Sequence, residues 1–199
     1  MDDATITAYD EHAAEYAADW LAQPPDDVLH ALVREFFGPG PTADVGCGAG
    51  RDTAWLTEEG YEAVGFDASD GLLQQARLRF PSTEFAVAAL PALAGVASGR
   101  FANVLCETVI MHLGPGERAA SVARLLDILR PGGTLYLSWR VTPDDGQRDE
   151  RGRLYAGFPA AEVMTALGDA QILHDSESDS ESSGKLVHRV VARRPGATA

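Results

Sequence analysis

Between Thr42 and Trp55 the chain reads TADVGCGAGRDTAW: a short strand-like run, three glycines at alternate positions, then a helical pattern from Arg51. Gly46, Gly48 and Gly50 let the backbone turn sharply and come within contact distance of a ligand, because no Cβ intervenes. The helix that follows points its free N–H groups and the positive end of its dipole at the same place. Strand, glycine turn and helix in that order predict an α/β unit holding a nucleotide-sized or anionic-tailed ligand at the turn.

The rest of the chain repeats that rhythm. Tyr61–Phe66 predicts a second strand ending in Asp67, and Ser69 or Asp70 caps a helix over about 70–79 that stops at Pro81. Thr83–Ala88, Phe101–Glu107 and Thr134–Trp139 predict three more strands, with an amphipathic helix over about 116–130 before the last. Strands apolar on both faces, alternating with helices, imply a parallel sheet covered on both sides. A polar loop at 142–153 and a helix at about 159–167 lead to two strand-like runs, Ala170–Leu173 and Leu186–Ala192. The acidic, serine-rich tract between them is too polar for a crossover helix and reads as a solvated loop, so those two strands pair antiparallel. Ahead of the glycine turn, helical spacing predicts one helix over about 3–20 and a second over about 26–37. The expectation is a single domain over 1–199, with a helical cap or lid over 1–41 and the core over 42–193.

Charge narrows the partners. Sixteen basic residues against 30 acidic ones give a net charge of −14. Such a surface repels a nucleic-acid backbone and an anionic membrane alike. The first residues carry no charged-then-apolar leader, and no long apolar span follows, so the expectation is a cytoplasmic protein, monomer or homodimer. Cys47 and Cys106 lie far apart and form no disulfide framework, and no metal site is predicted.

Asp44-Val-Gly46-Cys-Gly48-Ala-Gly50, Gly65-Phe-Asp67-Ala-Ser69, Phe101–Glu107 and Leu129-Arg-Pro131-Gly132-Gly133-Thr-Leu together resemble the class I S-adenosylmethionine-dependent methyltransferases, over roughly residues 42–193. The resemblance implies a Rossmann-like, mostly parallel seven-stranded sheet with a C-terminal antiparallel hairpin and helices on both faces. It also implies S-adenosylmethionine as cofactor, S-adenosylhomocysteine as product and a small-molecule methyl acceptor. Asp44, Gly46, Cys47, Gly48, Gly50 and Arg51 would then hold the methionine part. Asp67, with Ala68 beside it, would take the ribose hydroxyls, a pairing that a carboxylate makes more strongly than a neutral side chain. Ala89 and Leu90 would meet the adenine through backbone groups, since no carboxylate follows the third strand here; Cys106 and Tyr16 complete the expected cofactor shell. The rival is an NAD(P)-dependent oxidoreductase, but its third glycine would fall on Arg51, and its second mononucleotide half is replaced by a hairpin. A non-catalytic S-adenosylmethionine-binding protein is the other alternative.

Methyl transfer is an in-line displacement in which positioning and water exclusion supply most of the acceleration. A base is needed only where the acceptor must lose a proton. His112 is the candidate base, or else a hydrogen-bonded structural histidine; Glu107 orients the acceptor or caps a turn. Trp139 and Arg140, at the end of the fifth strand, offer an apolar wall and an anion clamp, with an exposed ion pair as the other reading of Arg140. Tyr9, His12 and Tyr16 share one helix face and either reach the ligands or pack on the sheet edge. Arg151, Arg153 and Tyr155 reach an acidic acceptor or belong to a solvated loop.

Overall fold

The computed structural model describes residues 1–142 and 146–196, so part of the polar loop at 142–153 and the end of the chain lie outside the described residues. Seven strands form one sheet in the order β3-β2-β1-β4-β5-β9-β8. They are β1 (Pro41–Val45), β2 (Glu62–Asp67), β3 (Glu84–Val87), β4 (Phe101–Cys106), β5 (Leu129–Arg140), β8 (Gln171–Asp179) and β9 (Leu186–Arg193). β9 runs opposite to the other six, pairing β5 with Tyr136 opposite Val191 and β8 with Asp175 opposite Val190. A separate two-stranded ribbon, β6 (Gln147–Arg148) and β7 (Leu154–Tyr155), lies between β5 and β8 in the chain.

Helices α1 (Asp3–Glu11), α2 (Ala13–Ala22) and α3 (Asp27–Phe36) precede the sheet; α4 (Arg51–Glu58), α5 (Asp70–Arg79), α6 (Glu117–Ile128) and α7 (Ala160–Ala166) are interleaved with it. Each sheet face has its own core. Leu29, Leu32 and Val33 of α3 and Leu56 of α4 pack on Leu105, Tyr136 and Val191. Val122, Leu125 and Ile128 of α6 and Val163 of α7 pack with Val104, Cys106, Leu135 and Leu137 on the other side. Alternate residues of the central strands thus serve opposite layers, which is why β4 is buried along its whole length.

Two boundaries differ from expectation. The expected helix over 3–20 breaks at His12, where φ is −115° and ψ 20°. The end of α1 is held by Asp10, whose carboxylate accepts from Ser69 Oγ (2.6 Å) and Gly71 N (2.9 Å) at the start of α5, and α2 starts afresh from there. β5 begins at Leu129 rather than at Thr134, because Gly132 N donates to Arg194 O and Arg194 N to Gly133 O.

The acidic tract is the larger correction. Asp175 to Asp179 are β-strand, and only the turn from Ser180 to Lys185 is loop. Its carboxylates are used across the ladder: Asp175 and Glu177 each sit 2.7 Å from a ring nitrogen of His188, which stacks on Trp139 with ring centroids 4.3 Å apart.

Candidate active site

The glycine turn is tied to the end of β2 before any side chain is considered. Gly46 N and Cys47 N both donate to Phe66 O, at 2.7 and 3.0 Å. Gly46 has φ +80° and Gly48 φ +54°, in the left-handed region. A Cβ on Gly46 would lie 2.2 Å from Val109 Cγ2, and one on Gly48 2.8 Å from Trp20 Cζ3. The turn is therefore closed on one side by the segment after β4 and on the other by α2. Gly50 (φ +83°) serves the fold, since its Cβ would meet Phe85 at 2.6 Å.

Three carboxylates end three neighbouring strands. Asp67, ending β2, accepts from Gly48 N and Ser69 N, each at 2.8 Å, with one bond to each oxygen. Burial raises its pKa, opposed by those backbone donors. Asp44 in β1 is buried and accepts from Thr53 Oγ1 at 2.6 Å. Desolvation, reinforced by the charge of Asp52, pushes it up to about 8. Glu107 follows β4; desolvation raises it to about 7, partly offset by the hydroxyl of Ser138, which donates to Oε2. The same Ser138 oxygen accepts from Thr108 N at 2.9 Å, and Thr108 adopts φ +53°, a strained value for a β-branched residue.

His112, in a 3-10 turn over Ile110–His112, has both ring nitrogens engaged. Nδ1 donates to Leu154 O, which leaves Nε2 to accept from the Tyr9 hydroxyl at 3.1 Å. Burial lowers its pKa to about 4, so it is neutral across the physiological range. Tyr9 packs against Tyr16 and Trp20 with centroids 5.2 and 5.9 Å away. The β6–β7 ribbon straps these helices from outside: Arg148 makes two bonds to Asp2 (2.9 and 2.7 Å), Leu154 N donates to Thr5 Oγ1 (2.9 Å) and Arg151 pairs with Glu15 (2.8 Å).

These groups enclose a cavity of about 310 Å³, at the lower end of small-molecule sites. Of the residues expected at the cofactor end, Asp44, Gly46, Cys47, Gly48, Arg51, Asp67, Ala68, Ala89 and Leu90 line it. At the other end Glu107, His112, Tyr9 and Arg140 line it, joined by Arg153 and Tyr155. Six candidates lie outside the lining, among them Arg151 of the strap. Gly50 sits behind the turn, and Cys106 is fully buried in the core. Tyr16 is buried behind Trp20, stacked at 5.5 Å. Trp139 is spent on His188, and His12 faces Glu15 at 3.8 Å.

Trp20 was missed by the sequence reading, although its i+4 spacing from Tyr16 was the signal. Ser180 and Lys185 of the β8–β9 turn also reach the cavity, and nothing in their local sequence marks them. Among the described residues no group of three or more His, Cys, Asp or Glu is placed to hold a metal ion, and no helix is long and apolar enough to cross a membrane.

A family model described as a methyltransferase domain matches residues 43–133, from β1 through the glycines before the core of β5. The chain is 32% identical over 180 residues to a trans-aconitate 2-methyltransferase of Azoarcus sp. (strain BH72), covering 87% of this chain and 66% of that one. Residues 43–133 thus carry a methyltransferase domain, and the chain is similar to S-adenosylmethionine-dependent methyltransferases. A ubiquinone biosynthesis O-methyltransferase of Xanthomonas campestris is 28% identical over 145 residues, covering 66% of this chain and 60% of the relative. The chain thus spans less than two thirds of the length of either relative. Among solved structures, a Burkholderia thailandensis 1,6-didemethyltoxoflavin-N1-methyltransferase with bound S-adenosylhomocysteine shares the fold at TM-score 0.73 and 21% identity, over 96% of this chain and 88% of that one. A methyltransferase from Methanosarcina mazei does so at TM-score 0.72 and 18% identity, over 83% and 97%.

The residues present fit the cofactor of this methyltransferase family. Gly46 and Gly48, whose Cβ positions are taken up by Val109 and Trp20, put bare backbone on the cavity wall. Asp67 faces the same cavity, and beside its bonds to Gly48 N and Ser69 N its carboxylate keeps lone pairs for further donors. The Ala89 and Leu90 N–H groups, at the cavity wall, make no hydrogen bond among the described residues.

Proposed function

We propose that this chain transfers a methyl group from S-adenosylmethionine to a small-molecule acceptor. The observation that carries the reading is one continuous cavity, with Asp67 and the glycine turn at one end and Glu107, His112 and Arg140 at the other. When bound, S-adenosylmethionine supplies an electrophilic methyl carbon: the acceptor's lone pair bonds to it as the carbon–sulfur bond breaks, its electron pair passing to sulfur.

The chain's own residues hold and exclude. Asp67 accepts from the ribose hydroxyls, and Gly46 and Gly48 admit the amino-acid part beside the turn. Asp44 faces a cationic group at the end of β1; a positive charge there favours its ionised form against the desolvation that raises it. Glu107, near pH 7 in its titration, orients the acceptor and takes its proton where it has one to lose. His112 is a positioning residue: with Nε2 accepting from Tyr9 and Nδ1 bound to Leu154, it fixes the Tyr9 ring at the cavity wall and keeps water out. Residues 1–41 act as the cap over the bound ligands.

Calorimetric titration of the purified chain with S-adenosylhomocysteine and with NAD tests this. The first is expected to bind and the second not. Asp67→Ala should weaken S-adenosylhomocysteine by roughly 100-fold, the worth of two charge-assisted hydrogen bonds. Binding of NAD without response to S-adenosylhomocysteine would overturn the proposal.

A further inference from the structure

Three arginines line the cavity, and two of them are neutralised at once. Arg51 Nε lies 3.1 Å from Asp52, and Arg153 makes 2.6 and 2.7 Å contacts with Asp149. Arg140 differs. Its guanidinium has no ion pair and no hydrogen bond among the described residues, and its contact is the Tyr155 ring, 5.1 Å from the centroid. Arg140 is also the last residue of β5, at the carboxyl end of the parallel strands where ligands of open α/β sheets sit.

The surroundings suit an anion as well. Arg153 lies against the same Tyr155 ring at 5.4 Å, so two guanidinium groups bracket one aromatic wall. Of the cavity carboxylates, Asp52 is paired with Arg51, and burial pushes Glu107 up to about 7.

We propose that the acceptor is a small carboxylic acid, held through a carboxylate on the free guanidinium fork of Arg140, which makes Arg140 the residue that selects acids over their neutral analogues. This rests on the methyl-transfer reading and adds the substrate class to it. A carboxylate suits the planar fork, which offers two parallel N–H donors. The Tyr155 face holds that plane in place, so little freedom is lost when the acid binds.

The test uses the full chain, labelled S-adenosylmethionine and matched acceptor pairs. These are trans-aconitate with its trimethyl ester, 4-hydroxybenzoate with 4-hydroxybenzamide, and a phosphate monoester as a separate arm. Label is expected in at least one acid and at much lower level in its neutral partner. Arg140→Ala should raise KM for that acid roughly 10- to 100-fold, the loss of one charged pair, with S-adenosylhomocysteine affinity unchanged. Arg140→Lys should recover part of it. Label in the neutral partners at equal rate, in the phosphate ester instead of the acids, or in none of the acids overturns the proposal, as does an unchanged KM in Arg140→Ala. S-adenosylhomocysteine calorimetry on the same preparation separates the two readings. If it binds while acids are ignored, only the acid assignment falls; if it does not bind, the methyl-transfer reading falls and takes this one with it.

Discussion

The two ends of the cavity are built by different means. At the glycine turn the bonds are backbone-derived and short in range: Gly46 N and Cys47 N to Phe66 O, and Gly48 N to Asp67, nineteen residues on. At the acceptor end they are side-chain bonds between remote segments: Tyr9 to His112 across 103 residues, and Arg148 to Asp2 across 146. The first set forms with the β-turn-α unit itself and moves only with the sheet. The second joins surface elements whose separation opens the cavity without unfolding the core. One end is a fixture and the other a clasp.

The largest expected effect breaks the fixture. Gly46→Ala places a Cβ 2.2 Å from Val109 at a φ of +80°, so the turn must shift or unfold. A cost of roughly 2–4 kcal/mol is expected from overlap and backbone strain together, with S-adenosylhomocysteine binding lost. Denaturant titration and calorimetry read the two. Retained binding would mean that the turn is as adaptable as the clasp.

An intermediate effect, dependent on pH, belongs to Glu107 where the two ends meet. Its folded pKa of about 7 lies above its ordinary 4.5, so between those values the unfolded chain releases the proton first. Stability therefore falls as pH rises through that window and levels off above it. Glu107→Gln lacks this loss, and its advantage over the parent should grow from about pH 4.5 to about pH 7 in urea midpoints. A constant difference would show a carboxyl in contact with water, and the two ends would then be separate sites. His112 has the opposite sign, lowered from 6.5 to about 4, so its contribution appears as pH rises and is present in parent and variant alike.

The smallest effect on stability loosens the clasp. Arg148→Ala removes two bonds to Asp2, but the arginine side chain is 46% exposed, so no more than about 1 kcal/mol is expected. The variant should instead show faster amide exchange in α1 and a higher acceptor KM, with S-adenosylhomocysteine affinity nearly unchanged. Equal weakening of both ligands would merge the clasp with the fixture.

The same contrast explains what could be read without coordinates. Gly46, Gly48 and Asp67 were legible because turn, strand end and carboxylate follow one another at fixed spacing, and the physics of each is local. The parallel, two-faced sheet followed from buried runs alternating with helices. His112 was found as a residue but not as a role: its neutral tautomer depends on Leu154 and Tyr9, neither near it in sequence. Trp139 looked like a cavity wall until His188, from the far side of the hairpin, claimed its face. Thr108 in the left-handed region carries no sequence signal, since its conformation follows from Ser138 holding its N–H. The acidic tract misled because strand periodicity is sought in apolar residues, whereas here the alternation is between carboxylates and serines.

That tract has a consequence beyond the cavity. β8 is an outermost strand, nine residues long, with no further strand beside it among the described residues, whereas β3 at the opposite margin has only four residues. A long open margin is a template on which a second chain can polymerise. Asp175, Glu177 and Asp179 set exposed carboxylates along it, so two copies approaching edge to edge meet like charge against like charge. Residues that resemble filler thus place like charge along the margin where such pairing would begin.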